Sequence, residues 1–408
     1  MNTLKLINFL IFGLAISVGL RAEATTHQIK IDTHNITDEI AVKVYVPTSD
    51  IQESFPTLYL MDGQHYLYSA VGLQDSLNHR NITIPNFLVV AIDTSKLSEP
   101  SGLRHQLLNE RSFEMMSILL SKIVPLIEST YPSSDLKIYF GWELAAGFGL
   151  ELASLSDFNG FLLASAPNLT INKVNSFQNS LLADRNIETK FYVSLGHTEL
   201  QRIEEHKQLL DVISAPSSKD VDLELSITKN HGYFTTPIDA LTNGLMWLFS
   251  DFRGVNFYSI EEVIQFGGVD GIINYYEKRS NLYQVPYQTP ENTKFTMARH
   301  AVKSDNKELL DEIIERLGRF STGGDYWGYY FAKFAFEKQD YTLAQQFITS
   351  SVSTDKTSYR LLTLQGDIET RANRLDKAKY FYEQALASTD LEDLKRIIQN
   401  KINALKMM

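Results

Sequence analysis

The strand-forming run Leu136 to Phe140 leads into Gly141-Trp142-Glu143-Leu144-Ala145-Ala146-Gly147 and then into an apolar helical pattern. A strand that turns sharply into a helix presents the residue at its apex, and a side chain in the first helical turn feels the positive end of the helix dipole. The apex residue here is Glu143, and the small residues Gly141 and Ala145 stand two positions to either side, where bulk would collide with a strained turn. A carboxylate in that place can serve as a base for water or as a nucleophile, or it can simply pair with an imidazole. The chain has no cysteine, which removes disulfides, thiolate nucleophiles, cysteine-based zinc sites, Fe–S clusters and a lipoprotein anchor together. Chemistry therefore falls to serine, histidine and carboxylates, or to surfaces. His27, His34, His65, His79, His105, His206 and His300 show no metal-ligand spacing, and no glycine-rich phosphate loop occurs, so neither a metal nor a cofactor is expected. The pairs Glu204-Glu205 and Glu261-Glu262 read as solvated helix faces.

The elements that must position Glu143 lie in the first part of the chain. Its 408 residues, 44% of them hydrophobic, exceed one average domain and are too apolar for disorder. From about Thr25 to Asp251, short β-branched or aromatic runs alternate with helical periodicity, the pattern of an α/β domain with a mostly parallel sheet. The expected strands are His27–Asp32, Ile40–Val46, Pro56–Met61, Asn86–Ile92, Leu136–Phe140, Gly160–Ala164, Lys190–Leu195 and Leu223–Ile227. Phe113–Thr130 and Pro237–Phe252 carry helical apolar faces, and Pro125 should kink the first of them.

Ahead of this domain, Lys5 precedes an apolar run from Phe9 to Leu20, and Ala22-Glu23-Ala24 supplies a small-x-small cleavage pattern. Residues 1–24 read as a cleaved signal peptide rather than a membrane anchor, because the run is shorter than the roughly 20 residues that span a bilayer. Cleavage takes the formal charge from -11 to -12, and a periplasmic or secreted location follows, with no membrane association afterwards. An acidic chain with no basic patch is not expected to bind nucleic acid. The triplets beginning at Asn35, Asn81 and Asn168 match glycosylation acceptors but read as ordinary loop residues.

Beyond Phe252 the β signal fades and paired helices recur. Ala344 and Ala378 stand 34 residues apart, the tetratricopeptide period, in which small residues let antiparallel helices pack closely. The last unit is clearest, with Gly366 in its first helix and Ala378, Tyr382 and Ala385 in its second; Asp390 stands where proline is usual. One period earlier lie Ala332, Ala344 and Ile348, and before them Ala298, Leu310 and Ile314. The expected organisation is an α/β domain over residues 25–252, connecting helices over 253–288, and about three tetratricopeptide-like repeats over 289–408 with a capping helix from Leu391. Generic helical hairpins are the alternative. The aromatic run Tyr326-Trp327-Gly328-Tyr329-Tyr330-Phe331 reads first as packing between repeats and second as a peptide-binding surface.

Several weak motifs, in order, resemble the α/β-hydrolase-fold esterase family that contains esterase D and enterochelin esterase. They are Leu58-Tyr59-Leu60-Met61-Asp62-Gly63-Gln64, the run Ile84 to Ile92 with Arg104 after it, Val124 to Tyr131, the heptapeptide around Glu143, Ala164-Ser165-Ala166-Pro167, Gly196-His197-Thr198-Glu199 and Asn230-His231-Gly232. The resemblance covers roughly residues 25–251. It implies an α/β-hydrolase fold with a nucleophile at position 143, an acid at Glu199, a base at His231, and oxyanion donors at the backbone of Leu144 and near Gly63-Gln64. His197 is the alternative occupant of the acid loop, and a solvated helix-start carboxylate the alternative reading of Glu199.

The departure is at the nucleophile. Where the family reads Gly-His-Ser-x-Gly-Gly, this chain has Gly141-Trp142-Glu143-Leu144-Ala145-Ala146, so no hydroxyl stands at the turn for His231 to deprotonate. Three functions stay open: a catalytically impaired esterase homologue with a binding role, an active hydrolase of carboxylic ester or related bonds using Glu143 and His231, and a scaffold driven by the helical repeats. The expected partners are a small ester or peptide-like ligand and a protein held by the repeats.

Overall fold

The computed structural model describes residues 25–33, 36–49, 52–78, 84–98, 102–165, 171–182, 188–200, 211–212, 221–229, 232–351 and 358–407. Residues 1–24, His34, His79, His206, Glu204-Glu205 and His231 fall outside them, as do all or part of the triplets that begin at Asn35, Asn81 and Asn168. The chain folds as two compact units that divide between Ser250 and Asp251.

The first unit is organised by a sheet of eight strands: β1 (Thr25–Thr33), β2 (Ile36–Tyr45), β3 (Phe55–Met61), β4 (Leu88–Asp93), β5 (Ser133–Trp142), β6 (Gly160–Ala164), β7 (Thr189–Gly196) and β8 (Val221–Thr228). Their spatial order is β1-β2-β4-β3-β5-β6-β7-β8. The β1–β2 and β2–β4 pairs are antiparallel, and the other five are parallel. All eight strands expected from sequence form, with bounds moved by a few residues. Every residue of β3 and β6 is buried, as parallel strands covered on both faces require.

Helices supply those covers. Among them are α1 (Gly63–Asn78), α2 (Leu103–Leu108), α3 (Ser112–Ile118), α4 (Val124–Thr130), α5 (Leu144–Leu155) and α6 (Thr236–Leu248). Gly149 of α5 lies against Tyr139 and Leu163, whereas Gly244 of α6 lies against Leu162 and Tyr192. Neighbouring strand residues point to opposite faces, so α5 and α6 cover opposite sides of the sheet. The single helix expected over Phe113–Thr130 is broken by a π turn at Leu119–Ile123. Pro125 has no N–H to offer the preceding turn, and the Val124 N–H bonds back five residues to the Leu119 carbonyl. The helix expected to run to Phe252 ends at Leu248.

The described part of the second unit is helical: α7 (Ile260–Gln265), α8 (Gly268–Tyr283), α9 (Glu291–Lys303), α10 (Lys307–Leu317), α11 (Asp325–Glu337), α12 (Tyr341–Ser351), α13 (Tyr359–Arg371), α14 (Leu375–Ala387) and α15 (Glu392–Leu405). Three hairpins, α9–α10, α11–α12 and α13–α14, turn through Asp305, Gln339 and Asn373, whose φ values are 58, 64 and 55° and which stand 34 residues apart. At each turn the next N–H, of Asn306, Asp340 and Arg374, returns to the carbonyl of Ala301, Ala335 and Glu369 at 2.9 Å. The small positions follow the same period: Ala298, Ala332 and Gly366 in the first helices, and Ala344 and Ala378 in the second. At Gly366 the helices approach so closely that a Cβ would fall 2.4 Å from Tyr382 Cε1. The aromatic run 326–331 divides by helical spacing, with Phe331 in the core and Tyr326 and Tyr330 exposed.

Candidate active site

The site lies along the C-terminal edge of the parallel strands, where each chain reversal projects side chains outward. Asp62 follows β3, Thr94 follows β4, Glu143 follows β5, Ser165 follows β6, and Glu199 sits in the short turn His197–Leu200 after β7. Asp62, Glu143 and Ser165 all have positive φ, at 56, 59 and 43°. Glu143, with ψ at −124°, occupies a strained elbow between β5 and α5. Its backbone is fixed on both sides: the Glu143 N–H donates to the Ala164 carbonyl at 3.1 Å, and the Glu143 carbonyl accepts from Ala146 and Gly147. Gly141 is demanded here, because a Cβ would lie 2.4 Å from the Ala145 carbonyl oxygen. Leu144 opens α5 directly behind the elbow.

The Glu143 carboxylate meets a cation. Arg104 Nη1 donates to Glu143 Oε2 at 3.2 Å, while Arg104 Nε and Nη2 grip Asp62 Oδ1 and Oδ2 at 2.7 and 2.5 Å. Thr94 Oγ1 also donates to Asp62 Oδ1, and Gln64 braces Thr94 through the Thr94 N–H (3.1 Å) and the Thr94 hydroxyl (3.3 Å). The Gln64 side chain is thus occupied in holding the end of β4. Burial alone would make Arg104 easier to deprotonate, but Asp62 and then Glu143 outweigh it and hold the guanidinium charged above its ordinary range. Tyr233 is harder to ionise than a free phenol: burial first, then the charge of Glu143, with that of Glu199 behind it, push its ionisation up.

Glu199 is buried, at 7% exposure, and is not the solvated helix-start carboxylate that its sequence position allowed. Its Oε2 accepts the Gly196 N–H at 2.6 Å and the Ser165 hydroxyl at 2.8 Å. Ser165 Oγ lies 2.7 Å from Thr236 Oγ1, which reaches the Tyr233 carbonyl at 3.1 Å. The adjacent His197 is exposed. Trp142, at the position of the family histidine, donates Nε1–H to the Tyr233 carbonyl at 2.9 Å and packs beside Tyr233 and Phe234, with ring centroids 5.1 and 6.0 Å away.

The structure therefore brings Glu143, Glu199, Leu144 and Gln64 to one sheet edge; His231 lies outside the described residues, between β8 and Gly232. Sequence reasoning missed the part played by Asp62, Arg104 and Tyr233. Asp62 and Arg104 stood inside recognised motifs, but nothing local says that residues 62, 104 and 143 meet.

No family model and no curated protein matches the chain. Among solved structures it is similar to an uncharacterised protein from Capnocytophaga ochracea DSM 7271, at 13% identity and a TM-score of 0.50, over 95% of this chain and 100% of that one. It is also similar to an IroE-like serine hydrolase from Shewanella oneidensis, at 11% identity and a TM-score of 0.50, over 71% of this chain and 98% of that one. Likeness at such identities is likeness of fold: the first unit has an esterase-type α/β-hydrolase fold.

Proposed function

We propose that this chain is an exported esterase homologue in which acyl transfer has been lost at the elbow and a binding role kept. One observation carries the reading: the elbow residue is a glutamate tied to Arg104, which Asp62 in turn holds by two bonds. Serine-type acyl transfer needs a hydroxyl whose proton an imidazole removes as the oxygen attacks. Glu143 offers no such proton. A carboxylate whose charge is met by a guanidinium is a poor nucleophile, so the same contact weighs against the reading in which Glu143 attacks. Export rests on the signal-like pattern of residues 1–24. The tetratricopeptide reading of the helical unit is supported by the 34-residue recurrence of its turns and small positions, and it gives that unit the role of holding a protein partner.

The test is hydrolysis of p-nitrophenyl acetate by the natural chain, by His231→Ala and by Glu143→Ser. The natural chain is expected to be no faster than His231→Ala, and Glu143→Ser to gain turnover that His231→Ala then removes. Robust His231-dependent turnover by the natural chain overturns the reading and makes Glu143 a catalyst.

A further inference from the structure

We propose that the elbow edge of the sheet takes an organic cation, an ammonium or guanidinium group carried on an aromatic or apolar body. The inference rests on the reading of this edge as a binding site that does no acyl transfer, and it names the class of ligand.

Charge is the first argument. Asp62, Glu143 and Glu199 lie along the edge, and Arg104 is the cation that answers them, with Nε and Nη2 on Asp62 and Nη1 on Glu143. Among the described residues, these three carboxylates against one guanidinium leave an excess of negative charge. An anionic ligand would have to compete with Asp62 and Glu143 for Arg104, whereas a cation meets charge that is not yet balanced.

Glu199 supplies an independent observation. With more than nine-tenths of its surface buried, it directs Oε2 to Gly196 and Ser165, while its buried Oε1 receives no hydrogen bond from any described residue. A buried carboxylate oxygen without a donor costs about 1–3 kcal/mol or more, so such a group calls for a donor to arrive. Hydrogen bonds tie Glu199 to the aromatic side of the elbow: Ser165, which donates to Glu199, lies 2.7 Å from Thr236 Oγ1, and Thr236 reaches the Tyr233 carbonyl that Trp142 Nε1–H also bonds.

The wall completes the case. Trp142, Tyr233 and Phe234 form one aromatic cluster beside Glu143, and Phe234 is 77% exposed. Aromatic faces attract cations and accept apolar groups, so a charged head beside an aryl or alkyl body suits both the acidic and the aromatic parts of this edge. A metal ion fits less well, since no group of three acidic, histidine or cysteine side chains among the described residues is placed to hold one. The wider field agrees: residues 25–250 hold 15 Lys and Arg against 26 Asp and Glu, whereas residues 251–408 hold 21 against 22. A domain with that imbalance concentrates cations at its surface.

The experiment is isothermal titration of the full chain with three ligands of one shape: 2-phenylethylammonium, 2-phenylethanol and 3-phenylpropionate. The ammonium is expected to bind about tenfold tighter than the alcohol, with the carboxylate weakest and the preference shrinking as salt is raised. Glu143→Gln should weaken the ammonium about 3- to 10-fold and leave the alcohol nearly unchanged, and Phe234→Ala should weaken both aryl ligands about 3-fold or more. Phe234 is exposed, so its variant carries the test even where Glu143→Gln fails to fold. Equal affinity for the three ligands, a preference for the carboxylate, or a cation preference untouched by both variants overturns the inference. Turnover of p-nitrophenyl acetate on the same samples reports separately on the loss of acyl transfer: turnover with cation preference sinks only that reading, and inertness without cation preference sinks only this one.

Discussion

The Arg104 bridge can be measured by a double-mutant cycle. Its three members differ in burial: the Asp62 side chain is 3% exposed, Arg104 15% and Glu143 30%. Arg104→Met leaves the Asp62 carboxylate nearly enclosed with its Thr94 bond and no cation, a change that costs about 3–5 kcal/mol. Glu143→Gln keeps a carbonyl that Arg104 Nη1 can still reach and removes a charge that water partly screens, so it should cost no more than about 1 kcal/mol. Unit charges about 4 Å apart attract by about 4 kcal/mol at an effective dielectric of about 20. Solvent at the exposed third of Glu143 reduces this, and a coupling of about 1–1.5 kcal/mol between positions 104 and 143 is expected. The assay is urea unfolding of the four chains in a Trp327→Phe background, so that Trp142 and Trp247 report the first unit. A coupling within about 0.3 kcal/mol of zero, or an Arg104→Met cost below about 1 kcal/mol, refutes the bridge as the element that holds the elbow carboxylate.

Two further outcomes follow from other parts of the chain. Gly141→Ala would drive a Cβ into the backbone of Ala145 and Ala146, at 2.4 and 2.9 Å from the nearest atoms, and is expected to cost about 3 kcal/mol, seen as a fall of about 6–12 °C in the Tm of the first unit; an unchanged Tm would show that the elbow relaxes freely. His300 in α9 titrates below its ordinary value of 6.5, because burial and then Arg299 disfavour its charge, with Lys303 adding to them and the Phe257 carbonyl and Glu262 opposing. The unfolded chain therefore takes up this proton first, so the stability of the helical unit should be level above pH 6.5 and fall as pH drops from there through the depressed folded value; thermal unfolding against pH should show that slope vanish in His300→Gln.

The sheet is legible from sequence because parallel strands covered on both faces read as unbroken apolar runs. Leu88–Ile92 and Gly160–Ala164 announce themselves in this way. The elbow is legible because Gly141 and Ala145 bracket Glu143 at the spacing that a tight strand-to-helix turn imposes. The ion bridge is not, since Arg104 is 42 residues from Asp62 and 39 from Glu143: the pairing of β3 with β5 brings Asp62 and Glu143 to one edge, and Arg104 reaches both from α2. Tyr233 carries no signal at all: it follows Asn230-His231-Gly232 as an ordinary aromatic, and its place at the elbow comes from Trp142, whose Nε1–H bonds its carbonyl. The π turn was half legible. Pro125 foretells a fault in the helix, but whether the chain kinks or gains a residue depends on packing that sequence does not encode.

The backbone along the sheet edge bears on whether the first unit is inert. In the helical unit, Asp305, Gln339 and Asn373 adopt positive φ at hairpin turns, where the left-handed helical region closes a helix at small cost. Glu143 is different: with φ at 59° and ψ at −124° it lies outside that region, in a conformation that costs a non-glycine residue about 1–3 kcal/mol. Asp62 and Ser165 add further positive φ values on the same edge. Glycine at position 143 would relieve this strain. The side chains at these turns enter two hydrogen-bonded sets, Asp62 and Glu143 with Thr94 and Arg104, and Ser165 with Glu199 and Thr236. The strain is stored where these polar side chains converge, which is the ground for testing the sheet edge, and not the helical unit alone, for binding.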